Sequence, residues 1–279
     1  MYNLPMRNTI LTLALAFAMA GCTTQKAELA QIRFLHWNVA QFSGGGANVA
    51  TIKEADGPAM AARFRSFVDA SGADVIGVTQ YGENFTTNGS LKSADAVFKG
   101  YEKSVGPKKG AQCNAVFFKP GVATLAEEKD VFYAEHFEKT YYKAAKLVIK
   151  GVPVWFVQTQ LDCHNYLMGH HADRANQMKE LIAAFRDEPN VVIAGDFRVG
   201  IRIPGGRCFP APEEYDVFEK AGYELVNLHG TGTYPVTNPL QPVDNIIVKG
   251  LSISDVRFLE ADRLSDHMAL SCVLTVHPK

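Results

Sequence analysis

The sequence predicts an α/β sandwich. Three observations carry this reading: strand-like apolar runs recur along the chain from about residue 30, two amphipathic stretches with helical spacing lie among them, and no repeat, low-complexity tract or linker divides residues 30 to 279. The strand candidates, in order, are Ile32 to Val39, Val75 to Thr79, Asn114 to Phe118, Ala145 to Ile149, Val154 to Gln160, Val191 to Ala194, Asn245 to Val248, Ile253 to Phe258 and Ala269 to Val276. Each is rich in β-branched or aromatic residues and is bounded by Gly, Pro or Asn. The first helix opens at Pro58, an N1-like position, and lines up Met60, Phe64, Phe67 and Val68 on one face. A second runs from about Asp173 to Phe185, with Met178, Leu181, Ile182 and Phe185 apolar. With 47% hydrophobic and 20% charged residues, the chain can bury a full core as one domain. Its net charge of -1 provides no global basic field for nucleic acid or an anionic membrane, so any phosphate recognition must be local.

The first 21 residues read as a bacterial secretory signal: Arg7, the apolar run Ile10 to Met19, then Met19-Ala20-Gly21-Cys22 as a lipobox. Ten or so apolar residues fall short of the roughly 20 that span a bilayer. Cys22 is then the acylated first residue of a lipoprotein of the cell envelope, expected at the outer membrane, with residues 22–30 as a tether and 31–279 as the domain. Export leaves Cys113, Cys163, Cys208 and Cys272, with three possible full pairings. Cys113 and Cys272 sit in apolar strand-like runs and read as buried free thiols. Cys163 and Cys208 sit on loops, where a bridge between them is the guess.

Several strand ends place polar side chains beside apolar runs: His36-Trp37-Asn38, Thr79-Gln80, Thr159-Gln160-Leu161-Asp162, Gly195-Asp196-Phe197-Arg198 and Asp244-Asn245. Leu264-Ser265-Asp266-His267-Met268 does the same before the last run. One such end is an ordinary turn, but six suggest a site, because strands fix positions and loops admit a ligand.

Read in order, Trp37-Asn38-Val39, Asp74 to Gln80, Thr159 to Asp162, Gly195 to Arg198, Val243 to Ile246 and Ser265-Asp266-His267 resemble the successive motifs of the endonuclease/exonuclease/phosphatase superfamily. The resemblance spans about residues 32 to 276. It implies a four-layered α/β/β/α sandwich of two mostly antiparallel sheets flanked by helices, with Mg²⁺- or Mn²⁺-dependent hydrolysis of phosphoesters at one end. It further implies that Asn38 helps hold the metal, Asp196 activates water, Asp266 lies close to the metal, and Asp244 and His267 form an acid–histidine pair. Asn245 and positions 160 and 198 would face the phosphate.

Three positions depart from the family pattern. Gln80 stands where a metal-binding glutamate is usual, Gln160 where a histidine is usual, and Arg198 where an asparagine is usual. The first and third together move the pocket about two charges toward positive. Two unit charges at about 4 Å interact by about 4 kcal/mol at an effective dielectric of about 20, so Mg²⁺ occupancy falls by a factor on the order of 1000. If the extended strand persists, Asp196 and Arg198 share a face, and an ion pair would depress the acid's pKa. Alternatively the guanidinium forks onto a ligand where the cation stood. Arg174, Arg202 and Arg207 each read singly as surface arginines, His164, His170 and His171 as a solvated loop, and Lys103 to Lys109 as a basic surface loop.

Two functions follow. One is a lipid-anchored phosphoester hydrolase with weakly held metal. The other is a pseudoenzyme that binds an anionic ligand or a protein partner through the same pocket. Expected partners are a phosphorylated small molecule, lipid or nucleic acid, with the membrane reached through Cys22 and the chain acting as a monomer. The mouth loops Phe42 to Thr51, Asn84 to Ala94 and Ile201 to Ala211 carry no motif that names a substrate.

Overall fold

The computed structural model describes residues 29–42, 57–82, 92–107, 113–134, 140–162, 171–199, 212–234, 241–262 and 264–278. Two six-stranded sheets face each other. The first is built from β1 (Ala30–Asn38), β2 (Val75–Thr79), β3 (Glu102–Val105), β4 (Ala115–Phe118), β11 (Ser252–Leu259) and β12 (Ala269–Val276), in the order β11-β12-β1-β2-β4-β3. The second holds β5 (Thr124–Phe132), β6 (Tyr141–Ile149), β7 (Val152–Gln160), β8 (Val191–Asp196), β9 (Glu224–Leu225) and β10 (Asp244–Lys249), in the order β5-β6-β7-β8-β10-β9.

Pairing is antiparallel except for β1 with β2 and β7 with β8. A parallel pair needs a crossover, and each has one: α1 (Gly57–Ser71) follows β1, and α3 (His171–Ala184) follows β7. The shorter helices α2 (Lys92–Val97) and α4 (Asp216–Lys220) complete the set.

Strand alternation sorts the apolar residues into three layers of contact. Ile32, Phe34, Val154, Phe156, Val192, Ala194, Ile246 and Val248 meet between the sheets. Phe64 and Val68 of α1 pack on Leu35, Trp37, Ile76 and Val78 of the first sheet's outer face. Met178 and Leu181 of α3, with Phe185 just after it, pack on Trp155, Val157, Val191 and Ile193 of the second. Helix, sheet, sheet and helix make the expected four layers. The parallel pairs also bring the C-terminal ends of β1, β2, β7 and β8 to one end of the sandwich.

The expected strands are present, with ends shifted by up to four residues; Ala30 already pairs with Val276. Three strands were missed. β5, whose sequence TLAEEKDVF is mostly exposed at a sheet edge, shows no clean apolar alternation. β3 is short, and Lys103, expected in a loop, lies inside it. β9 spans two residues. The short α2 and α4 were also missed. Cys113 and Cys272 are buried free thiols, as expected. Cys163, Cys208, Cys22, Arg202, Arg207, His164, His170 and most of the mouth loops lie outside the described residues.

Candidate functional site

On the faces where Phe34 and Phe156 are apolar core, the next inward residues are polar: His36 and Asn38 on β1, Gln158 and Gln160 on β7, Asp196 closing β8 and Asp244 opening β10. All six are almost fully buried. Register aligns them, since Asp244 pairs with Asp196, Gln160 with Asp196 and Asn38 with Thr79. A buried polar group must find a partner or carry a desolvation cost, so the hydrogen bonds here define the site.

The acid–histidine pair is formed: His267 Nδ1 lies 2.8 Å from Asp244 Oδ2. The Ser265 hydroxyl sets the turn that delivers it, donating to the Asn38 carbonyl and accepting from the His267 amide. Trp37 Nε1 donates to the His267 carbonyl, and the Tyr234 ring lies 4.7 Å from the imidazole, centroid to centroid. Burial lowers the imidazole's pKa, but the charge and hydrogen bond of Asp244, then Asp196 and Asp266, outweigh it and raise it to about 9. His267 is therefore an imidazolium at neutral pH. Burial pushes Asp244 upward in turn, and His267 followed by His36 hold it well below the usual carboxylate range.

Asp196 has a different environment. Its Oδ2 accepts from Asn38 Nδ2 and Gln160 Nε2, each at 3.3 Å, and its Oδ1 accepts from the Arg198 amide at 3.0 Å. The Arg198 Nε lies 3.6 Å from Oδ2. The ion pair thus exists, but not through extended backbone: Arg198 has φ +54° and closes a tight turn on the aspartate. Its effect also differs from the expected depression. Burial pushes the Asp196 carboxyl above its ordinary value, and Arg198, then His267, only partly offset this.

Backbone strain gathers at the same end. Asn38 repeats the device of Asp196, its Oδ1 accepting the amide of Ala40. Ala40, Gln41, Phe42, Gln80 and Arg198 all sit at positive φ, a region that residues with a Cβ enter at a cost.

The residues offered to a divalent cation do not form an oxygen cage. The Oδ1 of Asn38 is engaged by Ala40 and its Nδ2 faces Asp196 and His267. Gln80 is a neutral amide at the end of β2. Among the described residues no three His, Cys, Asp or Glu side chains gather as a metal-binding group. Mg²⁺ asks for one or two carboxylates with free oxygens, and Asn38 and Gln80 supply no carboxylate.

Placement of the expected residues can now be stated. Asn38, Gln160, Asp196, Arg198, Asp244 and His267 come together. Asp266 stands at the rim, its Oδ1 3.9 Å from His267 Nε2. Asn245 is not brought to the cluster: next to Asp244 on a strand, it faces the opposite side, where Oδ1 accepts the amide of Asn227. Arg174, expected on the surface, is buried, pairs with Glu214 and donates to the Arg198 carbonyl, so it braces the strained turn. Sequence reasoning overlooked His36, Gln158 and Tyr234. The alternation of β1 and β7 was the available signal for the first two.

No protein-family model matches the chain, and no curated protein matches it in sequence. Solved structures do match in shape. D. rerio TDP2, complexed with a single-strand DNA product, superposes with TM-score 0.65 at 14% identity, covering 88% of this chain and 99% of that one. The human Nocturnin catalytic domain, with a bound sulfate anion, gives 0.62 at 17% identity, covering 88% and 94%. An endonuclease/exonuclease/phosphatase family protein from Bacteroides thetaiotaomicron gives 0.61 at 12% identity, covering 90% and 100%. The chain has the endonuclease/exonuclease/phosphatase fold, as its six motifs imply.

Proposed function

We propose that the polar end of the inter-sheet layer recognises a phosphoryl group without a tightly held divalent cation, on a plan otherwise that of a phosphoesterase. One observation carries this reading: Asp196, the acid that would activate water, is taken up as acceptor for Asn38, Gln160 and the Arg198 amide. A general base must present a free lone pair to water, and these donors take up most of the roughly four lone-pair sites of the Asp196 carboxylate. Gln80 removes the carboxylate on which the cation would rest, while Arg198 and the His267 imidazolium add positive charge. The Arg198 guanidinium and the His267 imidazolium, which face Asp196, Asp244 and Asp266 here, are the donors that a phosphate or sulfate anion would take. The sulfate bound by human Nocturnin is an anion of that shape in a protein of the same fold. The ligand is a phosphorylated small molecule, a lipid headgroup or a nucleic-acid phosphate.

A second reading, residual hydrolysis, is favoured by the intact Asp244–His267 pair and by Asp266, whose buried Oδ1 has no hydrogen-bond partner among the described residues. Turnover of bis-p-nitrophenyl phosphate separates the two. The first reading expects none from the natural protein and a gain only in the triple variant Gln80→Glu, Gln160→His, Arg198→Asn. Turnover in the natural protein that His267→Ala abolishes supports the second.

We also propose that the protein is held at the bacterial envelope by a lipidated Cys22, on the strength of the Met19-Ala20-Gly21-Cys22 lipobox. Incorporation of a labelled fatty acid, lost in Cys22→Ala, is the expected result. Equal labelling in the variant refutes it.

A further inference from the structure

His36 is fully buried on the inter-sheet face of β1, in line with Ile32 and Phe34 of the core. An imidazole in that position needs a reason. Its Nδ1 lies 3.1 Å from Gln158 Oε1, and its Nε2 lies 3.5 Å from Asp244 Oδ1. Gln158 belongs to the opposite sheet and reaches across the layer. The room for it is Gly77, the register partner of His36, where a Cβ would stand 2.0 Å from Gln158 Nε2. The Asp244 carboxylate therefore sits between two imidazoles, with His267 on Oδ2 toward the pocket and His36 on Oδ1 toward the core. Among the described residues, neither Asp244 Oδ1 nor His36 Nε2 has a hydrogen-bond partner, so the 3.5 Å polar contact between them is the one the structure shows for both atoms. A buried carboxylate left with one satisfied oxygen turns toward whatever else is near; a group on the second oxygen fixes its plane.

We propose that His36, itself held by Gln158, is a positioning residue that fixes the plane of Asp244 and through it the orientation of His267. Gln158, His36, Asp244 and His267 form one buried series from the second sheet to the pocket. This rests on the reading that His267 meets the ligand. Its consequence is specific: the His267–Asp244 hydrogen bond depends on a residue that never touches that ligand.

The test uses the full chain, with the hydrogen-bonded Nδ1 proton of His267 observed by NMR and inorganic phosphate binding measured by calorimetry. His36→Phe keeps the ring and removes both polar contacts. It is expected to shift or broaden that proton signal and to weaken phosphate binding by about tenfold, the lower end for loss of a group that orients a functional histidine. His36→Gln, which keeps a donor of similar reach, should retain most of both. If His36→Phe does not fold, Gln158→Leu gives the same readout one step further from Asp244. An unchanged proton signal in a folded variant overturns the positioning role. A natural protein that binds no phosphate, yet loses the signal on His36→Phe, overturns the phosphate reading and leaves this one standing.

Discussion

The two ends of the inter-sheet layer are made by the same strands, on the same faces, at the same burial, and have opposite chemistry. At one end Phe34 and Phe156 meet with ring centroids 5.4 Å apart among Ile32, Val154 and Val192. Two residues further along β1 and β7 stand His36 and Gln158, then Asn38 and Gln160. The apolar end contributes stability through area removed from water and through close packing. The polar end works against it: among the described residues His36 Nε2, Thr79 Oγ1, Gln160 Oε1 and Asp244 Oδ1 lack hydrogen-bond partners, and the loops around it hold positive φ. A fold tolerates such a region when the rest is consistent, so the difference marks the candidate functional end without reference to any relative.

Mutations can break or sharpen that contrast. The largest effect is expected at the apolar end, where Phe156→Ala should cost about 3–5 kcal/mol in denaturant unfolding. Phosphate affinity of the folded fraction should stay unchanged. Next comes pH. With His267 raised from an ordinary 6.5 to about 9, its contribution is fully present below about 6.5 and is lost as pH rises through about 9. At about 1.4 kcal/mol per pKa unit that is at most about 3–4 kcal/mol. Chemical denaturation at pH 6 and pH 10 should show it, and His267→Gln should flatten the difference.

Gly77→Ala is expected to cost about 1–3 kcal/mol by forcing Gln158 aside, and to weaken phosphate binding as well, because Gln158 supports His36. Stability and function should fall together there, unlike at Phe156. The smallest effect has the opposite sign. Thr79→Val removes a buried hydroxyl without a partner and should be neutral or stabilising by up to about 1 kcal/mol, and a large loss would mean that Oγ1 has an unseen role.

The sequence made the scaffold legible where burial is simple. VIGVT reads as a strand because every residue of it is buried. TLAEEKDVF does not, because an exposed edge strand places little constraint on its side chains. Asn38, Asp196, Asp244 and His267 were legible through motif order, since the first three close or open a strand and His267 lies two residues before the last one. The bond network among them was not. The i, i+2 rule assumed extended backbone at Asp196 and Arg198, where the chain makes a left-handed turn. Asn245 was expected at the phosphate beside Asp244, but neighbours on a strand face opposite sides, and its Oδ1 accepts the amide of Asn227 instead. Arg174 read as surface because its partner Glu214 is 40 residues away in sequence. The raised pKa of Asp196 depends on burial, which no local pattern shows.

The central proposal is that this pocket takes a phosphoryl anion without a tightly held cation while Asn38, Gln160 and Arg198 engage Asp196. Calorimetric titration of Mg²⁺ into the purified protein tests it most directly. The account predicts no binding heat below millimolar Mg²⁺, with inorganic phosphate bound equally with or without a chelator. Micromolar Mg²⁺ binding that Asp196→Asn abolishes would contradict it.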